Sequence, residues 1–283
     1  MNLLKKITKP ILMPFWWQDA LIAIPRIVCG YLLCSSFGAD KFGLPWSPAD
    51  SNLGLFEVAF WFPSDVAAYG GIFAICPAFF AWMGAFSEAI GGLLLLFGFQ
   101  TRIASFLIIC TMLVAIFMQQ IHNGLWMCLP AMGFLWVAIF TLIQGSGRFG
   151  IDYLVTKKTF LKMKNVTKIS LILVLISLVS CVQKSYKQKV HFFVDVKGVK
   201  NVKTVGLRGK NPLSWQEDLV MNIGTDSIYE QTVVFDTGYK FAEFKFTVNG
   251  EYEFQDQENR KVYFDDDKIT EVRLVFNKRD TVK

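Results

Sequence analysis

Charge is scarce in the first 182 residues, which hold 12 Lys/Arg and 7 Asp/Glu; the remaining 101 hold 17 and 16. So few charges among so many apolar residues exclude a single soluble globular fold. Histidine is almost missing, with only His122 and His191. Neither two-sided haem ligation nor a His-rich metal site can be built from one histidine per region. No Cys-x-x-Cys occurs among the six cysteines, which argues against a dithiol redox site and a thiolate zinc site, so no metal is expected. Beyond Cys181 there is no cysteine at all, and the charged C-terminal part must fold without disulfides. P-loop and H-E-x-x-H strings are absent, which leaves P-loop nucleotide and zinc-protease chemistry without support. The net charge of +6 forms no single basic stripe, so a nucleic-acid module is excluded too.

Long apolar runs are what the chain does have. A membrane-spanning helix needs about 20 apolar residues. Four stretches qualify, at residues 19–37, 79–98, 103–118 and 125–143. Trp16, Trp17, Trp46, Trp61 and Trp126 lie near their ends, where an indole is half wet. Residues 66–98 are too many for one span, and Gly70-Gly71 with Pro77 predict an interfacial or re-entrant piece before the second. Cys29, Cys34, Cys76, Cys110 and Cys128 lie in apolar stretches and read as small packing residues. Lys5, Lys6, Lys9, Arg102, Arg148 and Lys157 gather at one set of span ends, with four more lysines following at 158–168. The positive-inside rule then places both termini of the bundle in the cytoplasm.

A fifth apolar run, residues 169–182, is short for a span and of the right length for a signal-peptide core. It follows a lysine-rich segment and ends Leu178-Val179-Ser180-Cys181, which resembles a bacterial lipobox with Cys181 as the lipidation site. Two readings stand: a fifth helix that carries the C-terminal domain across the membrane, or an embedded lipoprotein signal cut before Cys181. Both put that domain outside the cytoplasm, in the periplasm of an inner-membrane protein.

From Val190 the hydrophobic period becomes two. Strands are predicted near residues 191–196, 202–207, 229–235, 242–248, 251–254, 262–264 and 271–276, and Asn249-Gly250 is a type I′ hairpin signal. The fold class expected is an all-α four-helix transmembrane bundle (1–155) and an all-β immunoglobulin-like sandwich (190–283). A basic linker and the short hydrophobic segment (156–189) join them. The acidic run Asp265-Asp266-Asp267 reads as a solvated turn.

Ionisable residues inside spans are functional candidates by default. Arg26 in the first span and Glu88 in the second are expected at comparable depth, as a structural ion pair or as a site for a polar head group or proton relay. Gly30, Gly91 and Gly92 would let helices or a ligand approach closely, and Lys41 extends the polar track. His122 is a solvated loop residue or a proton carrier.

These residues form a pattern that resembles the DoxX family of small four-helix bacterial membrane proteins. The resembling elements are Arg26-x-x-x-Gly30 with Lys41, Glu88-x-x-Gly91-Gly92 running to Gly98-Phe99-Gln100-Thr101-Arg102, residues 111–116, and Gly145-Ser146-Gly147-Arg148-Phe149-Gly150-Ile151-Asp152. The resemblance covers residues 19–155. It implies a subunit of a quinone-linked oxidoreductase or an oxidative-stress membrane complex. Arg26 would donate to a quinone oxygen and Glu88 would exchange a proton, with Gly30, Lys41, Gly91, Gly92 and His122 around the cofactor. No covalently bound cofactor is implied; electrons would come from a redox partner protein, and lipid surrounds the bundle. A transporter is the alternative within the bundle.

The C-terminal part resembles starch-binding and glycogen-binding modules. Residues 205–209, Leu213-Ser214-Trp215, Met221, Tyr229, Phe244-Lys245-Phe246, Glu251-Tyr252-Glu253 and Glu258-Asn259-Arg260 carry this resemblance. Trp215, Tyr252, Asn259 and Arg260 are the glycan-binding candidates, because an aromatic face stacks on a sugar ring while amides and charges take its hydroxyls. The competing reading keeps them as core and turn residues of a domain that binds protein, or of a non-catalytic membrane-anchored lipoprotein.

Overall fold

The computed structural model describes residues 8–157, 181–255, 257–265 and 269–279. The hydrophobic run at 169–180, the lipobox residues before Cys181, and Asp266 and Asp267 lie outside them. The chain divides into two compact units, Met1–Ala49 with Leu53–Gln183, and Asp50–Asn52 with Lys184–Lys283.

Four helices of the first unit are long and apolar enough to cross a membrane: Trp16–Phe37, Pro77–Phe97, Thr101–Asn123 and Leu125–Gln144. Each extends the stretch expected from hydropathy by one to five residues at one or both ends, because polar residues such as Gln119 and Asn123 complete a last turn. The exception is the second, which stops at Phe97 because Gly98 turns left-handed, φ +64°. Between the first two spans, short helices Phe62–Ala67 and Ile72–Ile75 occupy the segment predicted to be interfacial. Gly70 and Gly71 separate them with φ of +74° and +56°, and Pro77 opens the second span at its first turn, where its missing N–H costs no bond.

One end of the bundle gathers the start of the first span, the turn at 98–100 and the residues after the fourth; we call it the near end. There the Ile11 N–H donates to the Gln144 carbonyl at 2.8 Å and the Asp152 N–H to the Gly98 carbonyl at 2.9 Å. The first two spans cross at glycine. A methyl on Gly30 would lie 2.5 Å from the Leu96 nitrogen, and one on Gly92 would lie 2.8 Å from the Leu33 Cβ. Their backbones touch here because neither residue has a side chain.

At the far end the loop after the first span folds back onto the second. Phe42, Trp82 and Phe86 form its buried aromatic centre, with Trp82 stacked on Phe86 at 4.8 Å and its indole N–H donating to the Phe56 carbonyl at 3.2 Å. Three of the spans widen into π-helical turns, at Leu33–Phe37, Ser87–Gly91 and Ala115–Gln120. The segment that resumes at Cys181 also lies at this end: the Val58 N–H donates to the Cys181 carbonyl at 2.9 Å, and the Gln183 N–H to the Val58 carbonyl at 2.8 Å.

The second unit is a two-sheet β structure. Its strands are β1 Tyr186–Asp195, β2 Val205–Gly209, β3 Leu219–Val220, β4 Asn222–Ile223, β5 Ile228–Thr237, β6 Phe241–Val248, β7 Glu251–Tyr252, β8 Arg260–Tyr263 and β9 Thr270–Val275. One sheet runs β4-β5-β1-β9, with β1 and β9 parallel; the other runs β3-β2-β6, with β7 and β8 both pairing β6. Alternation along β1 buries Val190, Phe192 and Val194, which meet Phe235, Phe244 and Phe246 in the core. Each fully buried Phe contributes about 2–3 kcal/mol. Val248 pairs Glu251 across Asn249-Gly250, both at positive φ, as the hairpin signal requires. β3 and β4 escape sequence reading because two exposed residues carry no period.

Candidate functional site

At the near end, charged side chains are spent on helix ends. Arg26 is 1 % exposed. Its guanidinium donates to the carbonyls of Leu95 at 2.5 Å, Leu96 at 3.1 Å and Phe149 at 2.9 Å. Leu95 and Leu96 close the second span, so their carbonyls are among those a helix leaves without internal partners. Arg102 does the same for the fourth span, donating to Leu142 and Ile143 at 3.0 Å each, and also to the Lys9 carbonyl. Asp152 is the counterpart at a helix start. It accepts from the Gln100 N–H at 2.8 Å and from both the N–H and the hydroxyl of Thr101 at 2.9 Å. Cations at C-termini and an anion at an N-terminus also suit the helix dipoles. Burial raises the Asp152 carboxyl above the ordinary carboxylate range, while these donors and the Arg26 charge pull it back down. Arg148 pairs with buried Asp19 at 3.1 Å.

The expected Arg26–Glu88 pair is not formed. Glu88 lies eight residues, about 12 Å of helix rise, before Leu96, which is where Arg26 sits. Arg26 is therefore a helix-end clamp, its two terminal nitrogens engaged by carbonyls, while its buried Nε makes no hydrogen bond among the described residues. The run Gly145-Ser146-Gly147-Arg148-Phe149-Gly150 has dinucleotide-fingerprint spacing, but a fingerprint follows a strand. This one follows the fourth span and serves the clamp.

Glu88 pairs instead with Lys41, Nζ to Oε2 at 2.8 Å. Lys41 reaches it from just beyond the first span, and its ammonium also lies 5.3 Å from the centre of the Phe62 ring. Glu88 occupies the π-helical turn Ser87–Gly91, a wide turn of a kind that frequently marks functional sites. Lys41, Glu88 and Ser87 line one flank of a cavity of about 300 Å³. Phe62, Tyr69, Phe73 and Phe80 make its aromatic walls, and Leu107, Thr111 and Val114 its third-span side. Burial raises the Tyr69 phenol, and the nearby Asp65 and Glu88 charges raise it further. A small apolar pocket with a few convergent polar groups is the usual form of a ligand site.

Residues 21–120 match the DoxX family model. A comparison with curated proteins found no match. The matched segment thus contains Arg26, Lys41, Glu88 and the turn 98–102, while Asp152 lies beyond it and caps the third span from outside. The other candidates of the bundle fall apart by role. Gly30 and Gly92 serve helix contact, whereas a methyl on Gly91 would meet Ile108 only at ordinary contact distance, 3.5 Å. His122 is exposed in the turn Ile121–Asn123 and does not line the cavity. Cys34 and Cys128 are buried as expected of packing residues, whereas Cys76, Cys110 and Cys181 are exposed. Among the described residues no cluster of three His, Cys, Asp or Glu could hold a metal. Sequence reasoning missed Ser87, Arg102 and Asp152 as individuals; the last two stood in the motif, and a lone serine gives no signal.

In the β unit, the Tyr252 hydroxyl donates to the Trp215 carbonyl, and the Arg208 guanidinium stacks on the Tyr252 ring at 4.8 Å. Arg260 forks onto buried Glu253 with two bonds of 2.9 Å and also donates to the Val275 and Lys278 carbonyls. Asn259 reaches Glu243 at 3.5 Å. Tyr252 also lines a polar cleft of about 800 Å³ with Asn249, Glu251, Gln255, Gln257 and Asn277.

Proposed function

We propose that this multi-pass DoxX-type protein is a quinone-linked membrane subunit of the inner membrane, with the cavity beside Lys41 and Glu88 as its quinone site. The observation that carries this reading is the Lys41–Glu88 pair, with its carboxylate buried, on the wall of an aromatic cavity within the bundle. The residues present fit such a group: flat apolar walls for a ring, and an ammonium, a carboxylate and a hydroxyl on one flank. A bound quinone would supply two-electron, two-proton redox chemistry, with electrons from a partner protein. Lys41 holds a polar head group by its ammonium. Glu88, at the membrane-embedded end of the pair, takes up or releases the proton. The aromatic walls exclude water from that flank.

The basic residues Arg102, Arg148 and Lys157 at one set of span ends, followed by the apolar run at 169–182, support an extracytoplasmic β unit. The test of the quinone site is equilibrium dialysis of menadione against the full chain in lipid nanodiscs. Saturable binding above that of empty discs is expected, weakened at least tenfold in Lys41→Met/Glu88→Met. Binding no greater than that of empty discs would overturn the reading.

A second reading concerns the β unit alone and rests on its polar cleft, where Tyr252 is ringed by amide side chains. It makes this unit a glycan-binding domain. The detergent-solubilised full chain should then be retained on an α-glucan resin and released by soluble maltooligosaccharide; passage straight through the column would discard the idea.

A further inference from the structure

Four hydroxyls in the spans of this bundle share one habit, while Thr101 donates to Asp152 at 2.9 Å. Ser35 donates to the Tyr31 carbonyl, Ser105 to Thr101, Thr111 to Leu107 and Thr141 to Val137, each four residues back, at 2.7–3.1 Å. This back-bond is how a serine or threonine in an apolar helix satisfies its polar atom. Ser87 breaks the habit. It is 1 % exposed, and its Oγ has no hydrogen-bond partner among the described residues. It opens the π-helical turn that also carries Glu88, and it lines the cavity. A buried hydroxyl left unpaired in apolar surroundings is costly, and such groups call for a ligand or a functional explanation.

We propose that Ser87 is the hydrogen-bond donor that reads an acceptor oxygen on the molecule seated in the cavity, so that the site selects an oxygenated ring over the bare hydrocarbon. This rests on the cavity reading above and adds to it a specificity-determining residue. Lys41 cannot do this alone: its ammonium is held by Glu88 and attracts any polar group, whereas a fixed hydroxyl takes one acceptor in one direction. A site built around a hydroxyl loses affinity for an analogue that leaves the hydroxyl unpaired.

The experiment compares menadione with 2-methylnaphthalene, the same ring without oxygens, by equilibrium dialysis against the full chain in nanodiscs. Wild type should favour menadione. Ser87→Ala should lose about tenfold in menadione affinity, the scale of one buried hydrogen bond, while its affinity for 2-methylnaphthalene holds or rises. Its thermal midpoint should hold or rise as well, because the hydroxyl removed had no partner in the protein. A fall in midpoint with unchanged selectivity would make Ser87 a structural residue and overturn the proposal. So would a Ser87→Ala variant that binds both probes as wild type does, although the cavity would then remain a ligand site. Wild type binding neither probe would overturn both readings.

Discussion

An Arg26→Met variant is expected to lose about 3–5 kcal/mol of stability, the cost of dismantling a buried charged network from one side. The guanidinium joins three chain segments through carbonyls of Leu95, Leu96 and Phe149. Methionine fills the volume but takes the charged donor from all three carbonyls, of which only Leu95 keeps a second one, the Gly98 N–H at 3.2 Å. It also removes the positive charge beside Asp152, whose burial already disfavours its ionised form. Arg26→Lys should fall between the two, since a single ammonium replaces a fork that reaches three acceptors. The measurement is thermal unfolding of the purified chain in detergent. A methionine variant within 1 kcal/mol of wild type (a scale set by typical single substitutions) would show that the near end is held by packing alone.

The second large effect is an asymmetric double-mutant cycle at Lys41 and Glu88. Lys41→Met should cost about 3–5 kcal/mol, because it strands a carboxylate in the bundle. Glu88→Met should cost less: the Lys41 side chain is 22 % exposed against 7 % for Glu88, so the freed ammonium can turn toward water. The double variant should recover most of the loss, giving a coupling energy above about 1.5 kcal/mol. Additive losses would mean that the two side chains do not depend on each other, and the site would lose its polar flank.

The spans were legible because hydropathy acts locally and needs no knowledge of neighbours. So was the Asn249-Gly250 hairpin, whose φ requirements are met by those two residues alone. The partner of Glu88 was not legible. Depth counted along each span put Arg26 and Glu88 level, but the first two spans are set against each other by the Gly30–Gly92 crossing. That register aligns Arg26 with Leu95 and Leu96, and brings Gly38, rather than Arg26, against Ala89 beside Glu88. Two missing side chains leave no hydrophobic period to read. Lys41 was named as part of a polar track, yet its pairing became visible only once the loop after the first span was seen to fold back. In the β unit, Arg260 carried the expected position but not the expected freedom, since its partner Glu253 is a buried carboxylate in a segment that reads as an exposed hairpin.

The two ends of the bundle differ in how their helices finish. Near-end turns are bolted by side chains onto backbone carbonyls and amides, so sliding one helix there breaks several charged bonds at once. Toward the other end two helices finish in wide turns and a third widens at mid-span, where one backbone bond can be exchanged for its neighbour at little cost. Any movement that admits a molecule to the cavity therefore works like a pair of tweezers, with its joint at the bolted base and its play at the tips.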